Sequence, residues 1–235
     1  EENDITALGI HKGTMALIGP QRMEELMLLS KERKTTYSCG GSCPNTIIAL
    51  ASLGVTTTLA GKIGNDENGR MYQQRLKELG VGDQLVTTDK EMTGSTVILI
   101  TPDSERSMNT FLGANRLYEM SDVDEKTVAE ASFFHFTGYM WDTKSQQEAI
   151  KKALGIAKAN NTVVSFDLAD PFAVGRYREP FLNLIEQDCD IVKKQESSLT
   201  TMTPMSAAAP WVSSVGQPLL RMGKKAPTSA MKGRL

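Results

Sequence analysis

Three cysteines, two histidines and two tryptophans in 235 residues leave several classes of protein without support. An odd number of cysteines in a chain of this size does not build a disulfide framework, and reduced thiols suit a cytoplasmic protein, the location expected here. Cys39 and Cys43 are spaced like half of a metal site, but no histidine or second cysteine pair follows, so no zinc is expected. His11 and His135 stand alone, with no serine nucleophile or acid at an informative spacing, which argues against a hydrolase triad. No apolar run reaches membrane-spanning length, and the opening EENDITALGIHKG has neither a basic n-region nor an apolar h-region; a soluble protein is expected. No G-x-G-x-x-G follows a strand and no G-x-x-x-x-G-K-[ST] occurs, which removes the nicotinamide-dependent oxidoreductase and P-loop readings.

What is present is an ordinary α/β composition. With 40% hydrophobic residues the chain has enough apolar surface for one substantial core, or for a domain with a small appendage. Helical periodicity is read near 20–33, 44–53, 67–80, 144–160 and 178–187, and strand-like runs near 56–60, 132–136, 162–166 and 189–192. Their alternation predicts an α/β fold with a mostly parallel sheet. Within 144–160, Ala149, Ile150, Ala153, Leu154 and Ala157 recur at helical spacing and are expected to face the sheet. TVILI and SMNTFL flank Pro102-Asp103-Ser104-Glu105, a turn-rich tip, so residues 95–112 read as an antiparallel hairpin.

The most informative stretch is Cys39 to Gly69. Gly40 and Gly41 lack a Cβ and precede a helix expected to start near Pro44, so a ligand oxygen can approach their N–H groups and the positive end of the helix dipole. Asn45, placed in the first turn, can both donate and accept, which suits the vicinal hydroxyls of a sugar. The plainer alternative is a tight strand-to-helix turn. Gly54 then closes this helix, and Asp66 opens another as its N-cap, a role that explains the aspartate without catalysis.

Taken together, GGS-x-x-NT, Gly54, Gly64 and the G-x-I-G-N-D-x-x-G run resemble the N-terminal signature of the PfkB/ribokinase family of carbohydrate and nucleoside kinases. HKGTMAL, TGSTVILITPDSERSMNTFLGA, FTGYMWD and LADPF are similar, in the same order, to its adenosine-kinase-like branch. Cys43 and Pro44 stand where the family has small residues, and Ile47 replaces a usual alanine, changes that could reshape the pocket. The resemblance implies a ribokinase-like fold with a small β-lid, its pieces near 13–18 and 95–112. It further implies ATP and Mg²⁺ as cofactors and a small-molecule nucleoside or sugar as substrate, without nucleic acid or membrane. By resemblance Gly41, Ser42 and Asn45 would hold ribose hydroxyls, Gly40 would keep the turn open, Phe172 would stack on a base and Arg106 would lie over the substrate from the lid. Ser42 as a simple helix cap, Phe172 as core, and Arg106 and Lys62 as solvated cations are the competing readings.

The similarity is read over residues 5 to 192. From Lys193 onward there are seven Lys or Arg against the single acid Glu196, whereas residues 1–192 hold nineteen against twenty-seven. The chain is therefore divided into a substrate-binding portion with its lid, 1–192, and a basic, low-structure tail, 193–235. By the same resemblance, the family's first strand, with an aspartate that holds the sugar, is read as missing before Glu1. Gln195-Glu196-Ser197-Ser198 replaces its Asn-x-x-Glu motif, and its Gly-Ala-Gly-Asp motif, an anion hole with an aspartate base, does not occur as a string. These observations predict a chain that lacks the C-terminal nucleotide-binding part, with the ATP and Mg²⁺ site largely missing. No catalytic or metal residue is assigned. The expected function is an adenosine-kinase-like phosphotransferase, incomplete as written, with a non-catalytic sugar- or nucleoside-binding remnant as the alternative. Truncation, a shifted reading frame or a partial chain would each account for it.

Overall fold

The computed structural model describes residues 9–31, 35–169, 171–194, 211–212 and 219–222. The chain divides into two compact units, Glu1–Gly40 with Ile47–Tyr118, and Gly41–Thr46 with Glu119–Leu235.

The first unit contains β1 (Met15–Leu17), α1 (Pro20–Lys31), the residues from Ile47 of α2 (Ser42–Ser52), β2 (Thr58–Gly64), α3 (Glu67–Glu78), β3 (Gly82–Thr88), β4 (Ser95–Ile100) and β5 (Arg106–Phe111). β2 and β3 pair in parallel from Thr58↔Gly82 to Gly64↔Thr88, with α3 as the crossover that a parallel pair needs. β3 was not expected. It opens on Gly82 and Asp83, which read as a turn, and its strand state follows from pairing residue for residue with β2.

The hairpin expected at 95–112 is present, running from Ser95↔Phe111 to Ile100↔Arg106, and β1 adds to it in parallel through Met15↔Met108. Together they form a small lid sheet of order β1-β5-β4. At its tip Ser104 takes a positive φ of 68°, and Lys12 binds Asp103 at 2.7 Å. α1 packs on β4 and β5 and buries Met23 and Leu26.

The G-x-I-G-N-D-x-x-G run explains itself in this unit. Asp66 caps α3 by accepting from Gly69 N–H at 2.8 Å, and it also accepts from Thr93 N–H and Thr93 Oγ1, both at 2.7 Å. Thr93 Oγ1 in turn accepts from Gly64 N–H at 3.0 Å. A Cβ on Gly64 would come within 2.6 Å of Asp66 Oδ2 and 2.7 Å of Glu91 O, and one on Gly69 would collide with Gly64 O. Only glycine lets these three segments close around one carboxylate.

The second unit contains α4 (Glu125–Glu130), β6 (Phe133–Thr137), α5 (Lys144–Ala159), β7 (Val163–Asp167), α6 (Pro171–Arg176), α7 (Arg178–Gln187), β8 (Ile191–Lys194), β9 (Trp211–Val212) and β10 (Leu219–Met222). The sheet order is β6-β7-β8-β10-β9, with β6, β7 and β8 parallel and the last two strands antiparallel. Thr143 and Gln146 form a capping box at α5, whose Ala149, Ile150, Ala153, Leu154 and Ala157 are buried as their spacing predicts. The core is aromatic. Phe136 stacks on Phe166 at 4.6 Å, and Phe181 meets Phe166 edge-on at 5.1 Å.

Two expectations are corrected here. The helix expected from Pro44 starts at Ser42; proline is tolerated in the first turn because its missing N–H has no intrahelical acceptor there. Residues 193–235 are not without strands. Trp211–Val212 and Leu219–Met222 are too short to show a period, and they form because the open edge of β8 offers unpaired backbone groups. The rest of that tail from 195, including 195–198, and Asp170 lie outside the described residues.

Burial opposes ionisation of Asp66, but hydrogen bonds from Thr93 and Gly69 and the charge of Arg70 outweigh it and hold its carboxyl below the ordinary range. Its contribution to stability is therefore fully present above the unfolded-state value of about 3.9 and is lost as pH falls through the lowered folded value. Asp66→Ala, which removes a cap and strands the Thr93 donors, should lower stability by about 2–4 kcal/mol in urea unfolding at neutral pH. Asp66→Asn should lose part of that and flatten the acid limb of the stability profile.

Candidate substrate and phosphate site

Of the glycine pair, Gly41 stands where the backbone demands glycine, whereas a Cβ on Gly40 would meet open space. Gly41 has φ +118°, and a Cβ there would sit 3.1 Å from both Cγ and Cδ of Pro44. Asn45 N–H donates to Gly41 O at 3.0 Å and closes the first turn of α2, so Asn45 is the fourth helical residue, with its side chain exposed. Ser42 opens the helix, and its carbonyl accepts from Thr46 Oγ1 at 3.2 Å. No acid stands in this first turn, so the partial positive charge of the helix end is not neutralised there.

Gly41–Thr46 groups with the second unit, and Cys43 shows how. Its thiol lies close to Thr137 at the end of β6 and feels the charge of Asp167 at the end of β7. The parallel register sets Thr137 beside Asp167 and Asp167 beside Lys193. Side chains alternate across a sheet, so these three share one face with His135 and Ser165, opposite the aromatic core. The nose of α2 thus lies at the carboxyl ends of parallel strands, the end of an open α/β sheet where ligands bind.

The electrostatics here are specific. Asp167 is buried, accepts from Ala169 N–H at 3.1 Å and pairs with Lys193 Nζ at 3.3 Å. The Lys193 side chain is 42% exposed, so its ammonium also faces solvent at the strand end. His135 Nδ1 meets Ser165 Oγ at 3.1 Å, and its Nε2 is buried without a partner. Burial lowers the His135 pKa, Lys193 adds to that, and Asp167 opposes it, so the imidazole is neutral at neutral pH.

The residues singled out in the sequence fall in both units. Gly41, Ser42, Asn45 and Phe172 belong to the second, and Phe172, on α6, is 67% exposed. Gly40 and Arg106 belong to the first, Arg106 as the opening residue of β5 on the lid. Lys62 is buried and donates to Leu117 O at 3.1 Å, so it is not a solvated cation. Thr137, Asp167 and Lys193 were not singled out as a group, because 26 to 56 positions separate them and only strand register brings them together. Among the described residues no cluster of three or more His, Cys, Asp or Glu could hold a metal, and no helix is long and apolar enough to cross a membrane.

Comparison with known proteins adds to this geometry. The model of the pfkB family of carbohydrate kinases matches residues 4–223. The chain is 30% identical over 177 residues to a 5-dehydro-2-deoxygluconokinase of Geobacillus kaustophilus (strain HTA426), covering 72% of this chain and 51% of that protein. It thus spans about half the length of the curated relatives it matches. Among solved structures, the adenosine kinase from Sinorhizobium meliloti has a TM-score of 0.70 and 30% identity, covering 83% of this chain and 69% of that one. A probable sugar kinase from Rhizobium etli CFN 42 has a TM-score of 0.71 and 29% identity, covering 84% and 69%.

The family match corrects two expectations. It runs through residue 223, past the compositional break at 193, so the family portion does not end at 192. The match spans nearly the whole chain, which also overturns the inference that the catalytic region is absent because Gly-Ala-Gly-Asp does not occur as a string. The inference rested on a single string of letters, whereas the family match is made over the whole stretch 4–223.

The thiols supply a test of this packing. Burial pushes Cys43 and Cys189 each up to about 12 and raises Cys39 as well. Since the thiolate is the reactive form, all three should react with Ellman's reagent at pH 8 far more slowly in the native protein than in urea. One thiol equivalent released rapidly without denaturant would place Cys43 or Cys39 outside the packing described.

Proposed function

The chain belongs to the pfkB family of carbohydrate kinases, and on that premise we propose that it is an ATP-dependent phosphotransferase whose acceptor is a hydroxyl of an adenosine-like nucleoside. The observation that carries the choice of nucleoside is the likeness to the Sinorhizobium meliloti adenosine kinase, at 30% identity over 83% of the chain. Gly41, Ser42 and Asn45 hold the ribose hydroxyls at the nose of α2, and Gly40 keeps the approach open. Phe172, whose ring is mostly exposed, stacks on the base. The lid sheet presents Met15, Leu17, Ile98 and Ile100 as exposed apolar side chains.

ATP with Mg²⁺ is the donor that the family implies, supplying the phosphoryl group to be transferred. The residues present fit such a donor. The exposed ammonium of Lys193 is suited to a phosphate oxygen, and the neighbouring Asp167 carboxylate to a magnesium ion held mainly by phosphates and water. Lys193 then offsets the negative charge of the phosphate group, while the α2 nose orients the acceptor hydroxyl.

A second reading, a sugar as acceptor, is favoured by the 30% identity to the 5-dehydro-2-deoxygluconokinase. Calorimetric titration separates the two. Adenosine should bind and fructose should not, and Asn45→Ala should weaken adenosine by about 1–3 kcal/mol with little change in stability. Binding of fructose without adenosine would favour the sugar reading, and unchanged adenosine affinity in folded Asn45→Ala would remove that residue from the site.

A further inference from the structure

We propose that the first unit carries a second ligand site, on the α1 side of the lid strands, for a small organic molecule bearing one carboxylate or phosphate group. A cavity of about 390 Å³ is lined there by Ile10, Ala16, Ile18, Arg22, Met108 and Asn109, among others. Its size is within the range of small-molecule pockets.

Asn109 is the observation that points to a ligand. It is only 3% exposed, yet its Nδ2 donor has no partner. Such donors are rare in folded proteins because an unmade hydrogen bond is costly. The neighbouring strands cannot supply the acceptor from a side chain: register sets Ala16 on one side of Asn109 and Val97 on the other. The cavity that Asn109 lines is the remaining source.

His11 and Thr14 also line the cavity, and its charged group is Arg22, in the first turn of the twelve-residue α1, which carries no acid in that turn. Glu25 binds the Arg22 guanidinium at 2.8 Å and fixes its direction. A guanidinium, an amide donor and a helix N-terminus on one cavity suit an oxyanion. Ile10, Ala16 and Ile18 suit a compact apolar body attached to it. None of these residues is assigned to the nucleoside or the phosphate donor above, so the site stands whichever acceptor the protein uses.

The test follows the Asn109 side-chain amide by nitrogen–proton NMR in the full chain, with benzoate and with inorganic phosphate as probes. At least one probe should move that resonance saturably, and the preferred probe identifies carboxylate or phosphate. Arg22→Gln should weaken binding about tenfold, as loss of a charged hydrogen bond does. Asn109→Leu should abolish it without lowering the melting temperature, because it removes an unpaired donor rather than a structural bond. An Asn109 resonance unmoved by millimolar amounts of either probe would overturn the proposal. Equal affinity in wild type and Arg22→Gln would do the same, and that variant decides the matter if Asn109→Leu fails to fold.

Discussion

A single carboxylate organises the first unit. Asp66 binds the opening turn of α3, the end of β2 through Thr93, and the segment that leads into β4. Three pieces of chain separated by up to 29 positions converge on it, which is why Gly64 and Gly69 have no room for a side chain. A lid strand that starts from a fixed point needs no long hinge. The most recognisable motif in the chain thus has an architectural role: its aspartate and glycines set where the lid begins.

In the second unit the corresponding constraint is strand register. Parallel pairing of β6, β7 and β8 lines up Thr137, Asp167 and Lys193, and the nose of α2 docks on that row through Cys43. Where the family has a small residue, Cys43 fills space close to Thr137, and its raised pKa makes it a packing group rather than a nucleophile. In physical terms the departure bears on how the Gly41–Thr46 turn is anchored.

Much of this was legible in the sequence for reasons that are local. The stripe from Ala149 to Ala157, the N-cap role of Asp66 and the hairpin about Pro102-Asp103 each depend on neighbours a few positions away. β3 was hidden because Gly82 and Asp83 signal a turn, and only β2 makes a strand of them. The start of α2 was misplaced because Pro44 looks like a first helical residue when Ser42 can serve. The pairing of Asp167 with Lys193 could not be read at all, since their 26-residue separation carries no period. The inference that the catalytic region is absent failed for another reason: it rested on one string of letters, whereas the family match runs over residues 4–223.

The account's central claim is phosphoryl transfer from ATP to a nucleoside, and phosphorus NMR of the 235-residue protein with Mg²⁺, ATP and adenosine tests it most directly. The expected result is a growing phosphomonoester resonance matched one for one by ADP, and dependent on adenosine. ATP that stays intact, or that yields inorganic phosphate at the same rate with and without adenosine, would contradict it.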